Sequence, residues 1–429
     1  MEQVKKIRAA LLGAGTVGGG VYKLAELLRE DIIQKTGAEL VIDKVLIRDK
    51  SKKREGIPQE ILTDRWEEIL NDDGIEIVIE LMGGIQPALA CIEEALRRGK
   101  QVITANKDLL AEYGAELFDA AAEQDCDLHF EASVAGAIPI IRPLRQSLAA
   151  ARLTEVMGIV NGTTNYILTK MSEEGMDYRD ALDLATQLGY AESDPTADVE
   201  GYDAGRKLAI MASIAFNSRV TFPQVYTEGI TKITAEDIRY AKEFGYVIKL
   251  IAMTRLTDEG IEVKVHPMLI PDQHPLASVR DSFNAVFVHG QACDDAMFMG
   301  RGAGEMPTAS AVMGDVIDCM RNILHGSCGK IGCGCYLNLS VKPIEETVSR
   351  FFLRIQVADK PGALANIAGI LGNNDVSIEQ VVQKKSHNGV AELVIITDSV
   401  RERHFNDAIR ILEGMSVIKE ISGIIRVYG

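Results

Sequence analysis

The chain has 429 residues, of which 47% are hydrophobic and 25% are charged, and its formal net charge is −16. This length and composition indicate two or three ordinary globular domains. The acidic balance, without any basic stripe, argues against nucleic-acid binding. The apolar runs are too short for a membrane span or a secretory signal. Seven cysteines, an odd number in a large chain, are typical of reduced thiols, so we expect a cytoplasmic protein.

The first third of the chain alternates short apolar runs with helical patterns. We predict helices at residues 17–34, 92–97 and 109–124, and strands at residues 7–12, 40–47, 75–81, 101–104 and 127–132. Continuous apolar strands separated by helices indicate a parallel sheet that is covered on both faces.

From about residue 153 the pattern becomes that of an α+β domain with an antiparallel sheet. Here we predict strands at 156–160, 246–254, 261–269, 284–289 and 296–299, and helices at 166–172, 178–188, 203–217 and 308–324. A glycine- and cysteine-rich linker follows at 325–336. The remainder predicts a βαββαβ order, at 351–358, 363–373, 377–384, 391–397, 403–412 and 417–427. About eighty residues are enough for a small independent domain.

A glycine-rich turn joins the first predicted strand to the first predicted helix. The turn is Gly13-Ala14-Gly15-Thr16-Val17-Gly18. In this setting the first glycine permits a tight turn, the second lets the backbone approach a pyrophosphate, and the third allows close helix–strand packing. The helix N-terminus then favours the negative charge. We predict a dinucleotide site, the alternative being a glycine turn in an unrelated α/β protein.

Polar residues follow two other predicted strands, where ligands of open α/β sheets bind. Arg48-Asp49-Lys50 ends the second strand. A basic residue there accepts the 2′-phosphate of NADP, whereas an acidic one binds the ribose hydroxyls of NAD. Both types are present, and we favour NADP(H) because further basic residues follow. Thr104 ends the strand at 101–104, and Lys107 follows it three residues later. For Lys107 the alternative is an ordinary surface lysine.

A loop rich in carboxylates precedes the helix predicted at 203–217. It carries Glu192, Asp194, Asp198, Glu200 and Asp203. Lys207 lies four residues beyond Asp203, which places both on one face of a helix. Clustered carboxylates suit an ammonium-bearing substrate, and a lysine beside them can transfer a proton. The alternative is a surface ion pair, which contributes little.

Metal-binding spacing is not evident among the histidines and cysteines. The seven histidines, which we expect to be structural or exposed, are His129, His266, His274, His289, His325, His387 and His404. The linker segment with Cys328, Cys333 and Cys335 lacks a second CxxC pair, so its spacing does not predict a zinc site.

Several longer segments, in this order along nearly the whole chain, resemble homoserine dehydrogenases. Besides the glycine turn, they are the segments at residues 104–107 (TANK), 130–136 (FEASVAG), 158–166 (GIVNGTTNY), 188–192 (LGYAE) and 203–207 (DAGRK). The C-terminal segment at 359–364 (DKPGAL) resembles the first loop of ACT domains, which bind amino acids as regulators.

The resemblance implies a fold class, α/β, with three parts. These are a Rossmann-type dinucleotide-binding domain at 1–135 plus about 305–324, a substrate and dimerisation domain at 136–304, and, after a linker at 325–349, an ACT domain at 350–429. ACT domains usually pair, so a homo-oligomer, at least a dimer, is expected. Threonine is the expected effector, with a purely structural ACT domain as the alternative. The effector residues would be Asp359, Gly362, Ala363 and Leu364.

The resemblance also implies the reaction, which is the interconversion of L-homoserine and L-aspartate 4-semialdehyde in threonine, methionine and isoleucine biosynthesis. Lys207 would donate or accept the proton at the substrate oxygen, with Lys107 assisting. Substrate contacts would come from Glu192, Asp198, Asp203, Tyr190 and Thr163. Gly189 and Gly304 would approach the cofactor. A sodium-type monovalent cation would be held by Glu131, Val134, Gly136 and Ile138.

Two other functions remain to be compared with this one. A phosphorylating dehydrogenase of another amino-acid aldehyde needs a nucleophilic cysteine, and none of the seven lies in a convincing setting for that role. A regulatory sensor with a vestigial nucleotide fold would not need Lys107 and Lys207, both of which are present.

Overall fold

The computed structural model describes residues 4–383 and 389–429, and the chain forms two compact units. The first unit comprises Met1–Val156, Arg206–Pro223 and Asn284–Leu339, and the second comprises Met157–Gly205, Gln224–Phe283 and Ser340–Gly429. Each unit combines separate chain segments, so the domain bounds expected from the sequence stay a prediction. In the part of the chain that the structure describes, no helix combines the length and apolar character needed to cross a membrane.

The first unit is built on a parallel sheet with the strand order β3-β2-β1-β4-β5-β6. Its first elements are β1 (Lys5–Leu12), α1 (Thr16–Leu27), α2 (Arg29–Thr36), β2 (Ala38–Leu46), β3 (Leu62–Thr63), α3 (Glu67–Leu70), β4 (Ile75–Glu80), α4 (Ala88–Arg97), β5 (Gln101–Thr104), α5 (Lys107–Glu123) and β6 (Leu128–His129). The predicted parallel sheet is therefore confirmed.

The central segments of the chain contribute elements to both units. They are β7 (Leu153–Ile159), α6 (Gly162–Glu174), α7 (Tyr178–Gln187), α8 (Thr196–Val199), α9 (Tyr202–Ala215), β8 (Tyr226–Thr227), α10 (Ala235–Glu243), β9 (Tyr246–Thr257), β10 (Gly260–Pro271), β11 (Phe283–Gly290), β12 (Asp294–Arg301) and α11 (Glu305–His325). Helix α11 packs on α1 in the first unit. Gly20 allows this close approach, because a Cβ there would lie 2.9 Å from Glu305 Cγ and 3.1 Å from Ala309 Cβ.

The C-terminal segment has the predicted βαββαβ order with one added short strand. Its elements are β13 (Val348–Ala358), α12 (Ala363–Asn373), β14 (Ile378–Gln383), β15 (Val390–Thr397), β16 (Val400–Arg401), α13 (Glu402–Glu413) and β17 (Ile418–Val427). The predicted end of β14 at residue 384 lies outside the described residues, as does His387. In the second unit the strand order is β9-β10-β17-β13-β15-β14. Strands β9 and β10 are antiparallel, whereas β10 pairs in parallel with β8 and β17, so this sheet is mixed.

Three local predictions were wrong. The helix expected at 17–34 breaks at Leu28 into α1 and α2. The strand expected at 127–132 is only β6, because residues 131–133 form a 3-10 turn while the Glu131 carboxylate accepts N–H groups from residues 140–142. Helix α10 was missed, although Thr234 and Asp237 form a capping box at its start.

Two buried arginines join the C-terminal domain to the rest of the second unit. Arg354 of β13 donates to Asp237 Oδ1 of α10 at 2.9 Å and to Glu392 Oε1 of β15 at 3.1 Å. Arg426 of β17 donates to both carboxylate oxygens of Glu402 at 2.7 Å and to Glu228 Oε2 at 2.6 Å. Charges removed from water need such partners, so each arginine ties one surface to another.

Replacing Arg354 should destabilise the second unit, because Asp237 would stay buried without its cation. The Arg354 side chain is 3% exposed and that of Asp237 is 1% exposed. For Arg354→Met we expect the free energy of unfolding, measured by urea denaturation followed by circular dichroism, to fall by about 3–5 kcal/mol. Arg410→Met is the control, since Arg410 pairs with Asp407 at an exposed surface, and it should change stability by less than about 1 kcal/mol. Equal effects of the two variants would contradict the assigned role of Arg354.

Candidate functional site

The glycine turn between β1 and α1 forms an open cradle. Gly13 has φ +100°, and a Cβ there would lie 2.7 Å from the Leu81 carbonyl oxygen. A Cβ at Gly18 would lie 2.1 Å from the Gly13 carbonyl oxygen, whereas one at Gly15 would meet nothing within 4 Å. Gly13 and Gly18 thus allow close packing, and Gly15 leaves the backbone at the N-terminus of α1 open. These residues fit a pyrophosphate, as a dinucleotide requires.

Arg48 follows the end of β2, which the glycine turn contacts. The Gly13 N–H donates to the Leu46 carbonyl at 2.9 Å, so the glycine turn touches the end of β2, and exposed Arg48 is two residues beyond. The neighbouring Asp49 carboxylate accepts from the hydroxyl and the N–H of Ser51 at 2.6 and 3.0 Å, and these bonds lower its pKa. Asp49 is therefore engaged in a local turn next to Arg48.

Thr104 and Asn106 position Lys107 at the start of α5. The buried Thr104 hydroxyl donates to Glu80 Oε2 at 2.6 Å and accepts from the Asn106 N–H at 3.0 Å. Asn106 caps the helix, since its Oδ1 accepts from the Leu109 N–H. Thr104 is fully buried and its side chain holds this turn, while its contact with a cofactor stays a prediction.

One asparagine brings two of the predicted carboxylates together. Asn161 Nδ2 donates to Asp198 Oδ1 at 2.6 Å and to Asp203 Oδ2 at 2.9 Å. Its Oδ1 accepts from the Thr164 N–H at 2.9 Å and caps α6. Asn161 was not among the predicted site residues. Its position before a helix was the available sequence signal, but only the fold reveals the two acidic partners.

Helix α9 carries both Asp203, in its first turn, and Lys207, one turn further on. Residues four apart lie on one face of a helix. The intervening Arg206 forms an ion pair with Asp108 Oδ1 at 3.2 Å and stacks over the Phe222 ring at 4.7 Å. Because Asp108 follows Lys107 directly, this ion pair links the helical turn that carries Lys207 to the turn that carries Lys107.

The predicted residue on α6, Thr163, and those in the loop between α7 and α8 differ in their surroundings. Thr163 is buried and donates to the Tyr190 carbonyl at 2.7 Å, so its side chain holds the loop. The Tyr190 ring packs on Tyr166, with 4.8 Å between the ring centroids, and the residue is 42% exposed. Gly189 has φ +76° and is exposed, and so is Glu192.

The residues predicted to hold a cation form a tightly packed turn. The buried Glu131 carboxylate accepts three backbone N–H groups, from residues 140–142, at 2.6–2.8 Å. Burial, and then the Asp315 carboxylate, raise the pKa of Glu131. A Cβ at Gly136 would lie 2.3 Å from the Gly302 carbonyl oxygen. Gly302 precedes Gly304 by two residues, and Gly304, with φ +126°, stands at the start of α11. Three of about four lone-pair positions on Glu131 are thus occupied, and the cation site stays a prediction.

The predicted effector residues surround the start of α12. Gly362 has φ +87° and precedes the helix, Ala363 is buried, and Leu364 is 37% exposed. Asp359 is exposed, and its N–H donates to the Gly389 carbonyl at 2.9 Å. A helix N-terminus in an accessible loop can receive a carboxylate such as that of an amino acid.

A parallel sheet with an open glycine cradle at its first turn defines a dinucleotide-binding protein of the α/β class. Comparison with known families narrows this class. Residues 13–131 match the homoserine dehydrogenase NAD-binding domain, residues 139–317 match the homoserine dehydrogenase family, and residues 351–415 match the ACT domain.

Relatives and solved structures agree with these matches. The chain is 43% identical to the homoserine dehydrogenase of Bacillus subtilis over 99% of both chains, and 45% identical to that of Corynebacterium glutamicum over 97% of this chain and 94% of the relative. A crystal structure of a homoserine dehydrogenase from Thiobacillus denitrificans superposes with a TM-score of 0.94 at 38% identity, covering 99% of this chain and 98% of the other. A hyperthermophilic archaeal homoserine dehydrogenase in complex with NADPH has a TM-score of 0.63 at 27% identity, covering 73% and 97%.

The chain therefore belongs to the homoserine dehydrogenase family and is an oxidoreductase.

Removing the donor groups of Asn161 should impair turnover of homoserine more than it affects folding. Asn161→Asp keeps an oxygen to cap α6 but leaves Asp198 and Asp203 without their amide donor and adds a third carboxylate. We expect kcat/KM to fall by about 10- to 100-fold, since a hydrogen bond to a charged group contributes about 1.5–3 kcal/mol. Asn71→Asp, at an exposed helix end, is the control. Unchanged kcat/KM in a folded Asn161→Asp variant would contradict the role given to this amide.

Proposed function

We propose that this protein interconverts L-homoserine and L-aspartate 4-semialdehyde, with NADP(H) as the preferred cofactor, in the biosynthesis of threonine, methionine and isoleucine. The observation that carries the proposal is the arrangement of Asp198 and Asp203 on Asn161, followed on the same helix by Lys207. It joins a site for a positive charge to a proton-transfer group along one helix.

The carboxylate pair would bind the amino group of the substrate. Asp203 is 9% exposed and Asp198 is half-buried, so a substrate ammonium would meet two anions with limited screening by water. The Asn161 amide donates to one oxygen of each carboxylate, to Asp198 Oδ1 and to Asp203 Oδ2, and so holds the two acids side by side. Glu192 and Tyr190, in the exposed loop before α8, would contact the substrate from the solvent side.

Lys207 would transfer the proton at the substrate oxygen, and Lys107 would assist. When bound, the nicotinamide supplies the hydride chemistry. The alcohol oxygen loses or gains a proton as its carbon is oxidised or reduced, and a positioned ammonium both stabilises negative charge on that oxygen and exchanges the proton. The Arg206–Asp108 ion pair supports this assignment, because it joins the two helical turns that carry these lysines.

Replacing Lys207 should abolish most turnover without loss of the fold. For Lys207→Ala we expect kcat with L-homoserine to fall by about 100- to 10,000-fold, measured from the absorbance of the reduced nicotinamide with NADP⁺ and with NAD⁺. Lys170→Ala is the control, since Lys170 pairs with the exposed Glu174 on α6. Comparable kcat in the two variants would contradict the role of Lys207, and absence of wild-type turnover with either cofactor would overturn the proposed reaction.

The proposed function includes a preferred cofactor, a bound cation and a homo-oligomer. The exposed Arg48 beside the glycine cradle favours NADP(H), and an archaeal family member is known in complex with NADPH. A monovalent cation at Glu131, Val134, Gly136 and Ile138 would act structurally, although it must compete with the three N–H groups on Glu131. A cytoplasmic homo-oligomer is consistent with the exposed apolar residues Leu364, Val381 and Ile411 of the C-terminal domain.

The C-terminal domain would transmit binding of threonine to the substrate carboxylates. Arg426 of β17 donates to Glu228, and the chain beyond Glu228 packs directly against α8. The Ile230 N–H donates to the Val199 carbonyl at 2.8 Å, and a Cβ at Gly229 would lie 2.2 Å from that same oxygen. Val199 follows Asp198, so a shift of β17 would reach one of the two proposed substrate carboxylates by way of Glu228, Ile230 and Val199.

Cutting this connection should separate binding of threonine from inhibition. In the wild type we expect threonine to raise the melting temperature and to inhibit homoserine oxidation. In Glu228→Gln we expect the same shift in melting temperature, with the threonine concentration for half-inhibition raised by at least about fivefold, because coupling energies are typically 1–3 kcal/mol. Asp359→Ala, in the predicted effector loop, should lose both responses.

Two results would count against this part of the proposal. If threonine changes neither the melting temperature nor the rate of the wild type, threonine is not the effector. If Glu228→Gln is inhibited like the wild type, the connection through Arg426 does not carry the coupling.

A further inference from the structure

Three potential metal ligands of different chemistry meet inside the first unit. They are Asp127 and His129, at the last strand of the parallel sheet, and Cys319, on helix α11. One ligand atom from each side chain lies within 4.8 Å of the others. Asp127 and Cys319 are buried, and His129 is half-buried. The spacing of these residues in the sequence gave no signal, because α11 is almost 190 residues away from β6.

His129 has a buried nitrogen that no neighbouring group satisfies. Its Nε2 lacks a hydrogen-bond partner and lies 3.5 Å from Asp127 Oδ2. A buried polar atom without a partner costs about 1–3 kcal/mol, so such atoms are rare unless they serve another purpose. A metal ion that accepts the Nε2 lone pair would remove this cost.

Cys328 lies in the linker after α11, one residue before Gly329, and is not one of the three clustered ligands. Burial, and then the Asp127 carboxylate, raise the pKa of the Cys328 thiol to about 11. The linker is also tied directly to Asp127, whose Oδ1 accepts from the Gly329 N–H at 2.8 Å. Asp127 Oδ2 accepts from Asn322 Nδ2 at 2.7 Å, and this hydrogen bond orients the carboxylate. Metal ligands in proteins are commonly oriented by hydrogen bonds of this kind.

We propose that Asp127, His129 and Cys319, with Cys328 moving in as the fourth ligand when the ion binds, form a structural site for a zinc-type divalent ion, distinct from the substrate and nucleotide sites. One oxygen, one nitrogen and two sulfur ligands match the tetrahedral preference of zinc, whereas calcium and magnesium require six or more oxygens. Tetrahedral zinc separates its ligand atoms by about 3.3–3.8 Å, so any pair of ligand atoms near the 4.8 Å limit would move closer together on binding.

The charge balance of the site is favourable to a dication. Binding would convert the Cys319 and Cys328 thiols to thiolates and release two protons, with no change of oxidation state. With Asp127, three negative charges would then face two positive ones. Two arginines line the pocket beside Asp127 and His129. Arg142 is bound to Asp315 and Asp318 at 2.9 Å each, and Arg145 donates to the carbonyls of Ile331 and Gly332 at 2.8 Å each. Because two protons must leave, affinity for the metal should fall as the pH falls.

The site is tested on the full-length, untagged protein with zinc itself. We expect one zinc ion per chain, measured by elemental analysis and by competition with a chromophoric chelator, and a rise in melting temperature when zinc is added. His129→Gln and Cys328→Ser should each weaken zinc affinity by more than about tenfold. Both replaced side chains are partly exposed, so these variants should fold, which circular dichroism checks.

Cys333, which is exposed, and Cys335, which is half-buried, provide the matched control. The Cys335 N–H lies 3.4 Å from Cys333 Sγ, and a hydrogen bond from Cys335 lowers the pKa of Cys333 to about 6, so this pair could bind zinc at the surface by itself. The double variant Cys333→Ser, Cys335→Ser should keep the wild-type affinity and stoichiometry. Loss of zinc in this double variant, retention of zinc in both His129→Gln and Cys328→Ser, or no stoichiometric zinc in the wild type would each overturn the proposal.

Discussion

The side-chain amide of Asn161 donates to Asp198 and Asp203, and the proposed substrate site depends on this one arrangement. Two carboxylates so close together repel each other, and the amide holds them without neutralising their charge. The same side chain caps α6, so the buried sheet-to-helix turn before α6 positions both acids. Asp203 in turn begins the helix that carries Lys207. The capping side chain of Asn161 thus positions the two acids proposed to bind a positive charge, at the start of the helix that carries Lys207, the residue proposed for proton transfer.

The C-terminal domain is joined to this region by buried charge rather than by a flexible tether. Arg354 lies on β13 and Arg426 on β17 of the C-terminal domain. Their side chains bind carboxylates outside that domain, those of Asp237 and Glu228 respectively. Parallel pairing of β17 with β10 adds backbone hydrogen bonds. Buried ion pairs are sensitive to geometry, so a small displacement of β17 has energetic consequences at Glu228. An ACT domain attached in this way is connected to α8 through Glu228, as the proposed regulation requires.

Most of the fold followed from the sequence because its signals are local and periodic. The continuous apolar strands near Ile7 and Ile77 predicted the parallel sheet, and the glycine turn predicted its ligand end. What failed has tertiary causes. Glu131 shortens β6 by accepting N–H groups from a later segment. The hydroxyls of Thr104 and Thr163 donate to Glu80 and to the Tyr190 carbonyl, and the ligand contacts of these two residues stay a prediction. Asn161, Arg354 and the ligand set around His129 depend on partners far away in the chain, which spacing does not reveal.

The most direct test of this account compares two substrates that differ only in the amino group that Asp198 and Asp203 are proposed to bind. L-Homoserine and 4-hydroxybutanoate would be oxidised by the wild type and by Asp198→Asn, with single-turnover assays for the slower reactions. The account predicts that the variant loses about 10- to 100-fold in kcat/KM for homoserine and less than about threefold for 4-hydroxybutanoate, since only homoserine carries the charge that Asp198 recognises. Equal losses for the two substrates would contradict it.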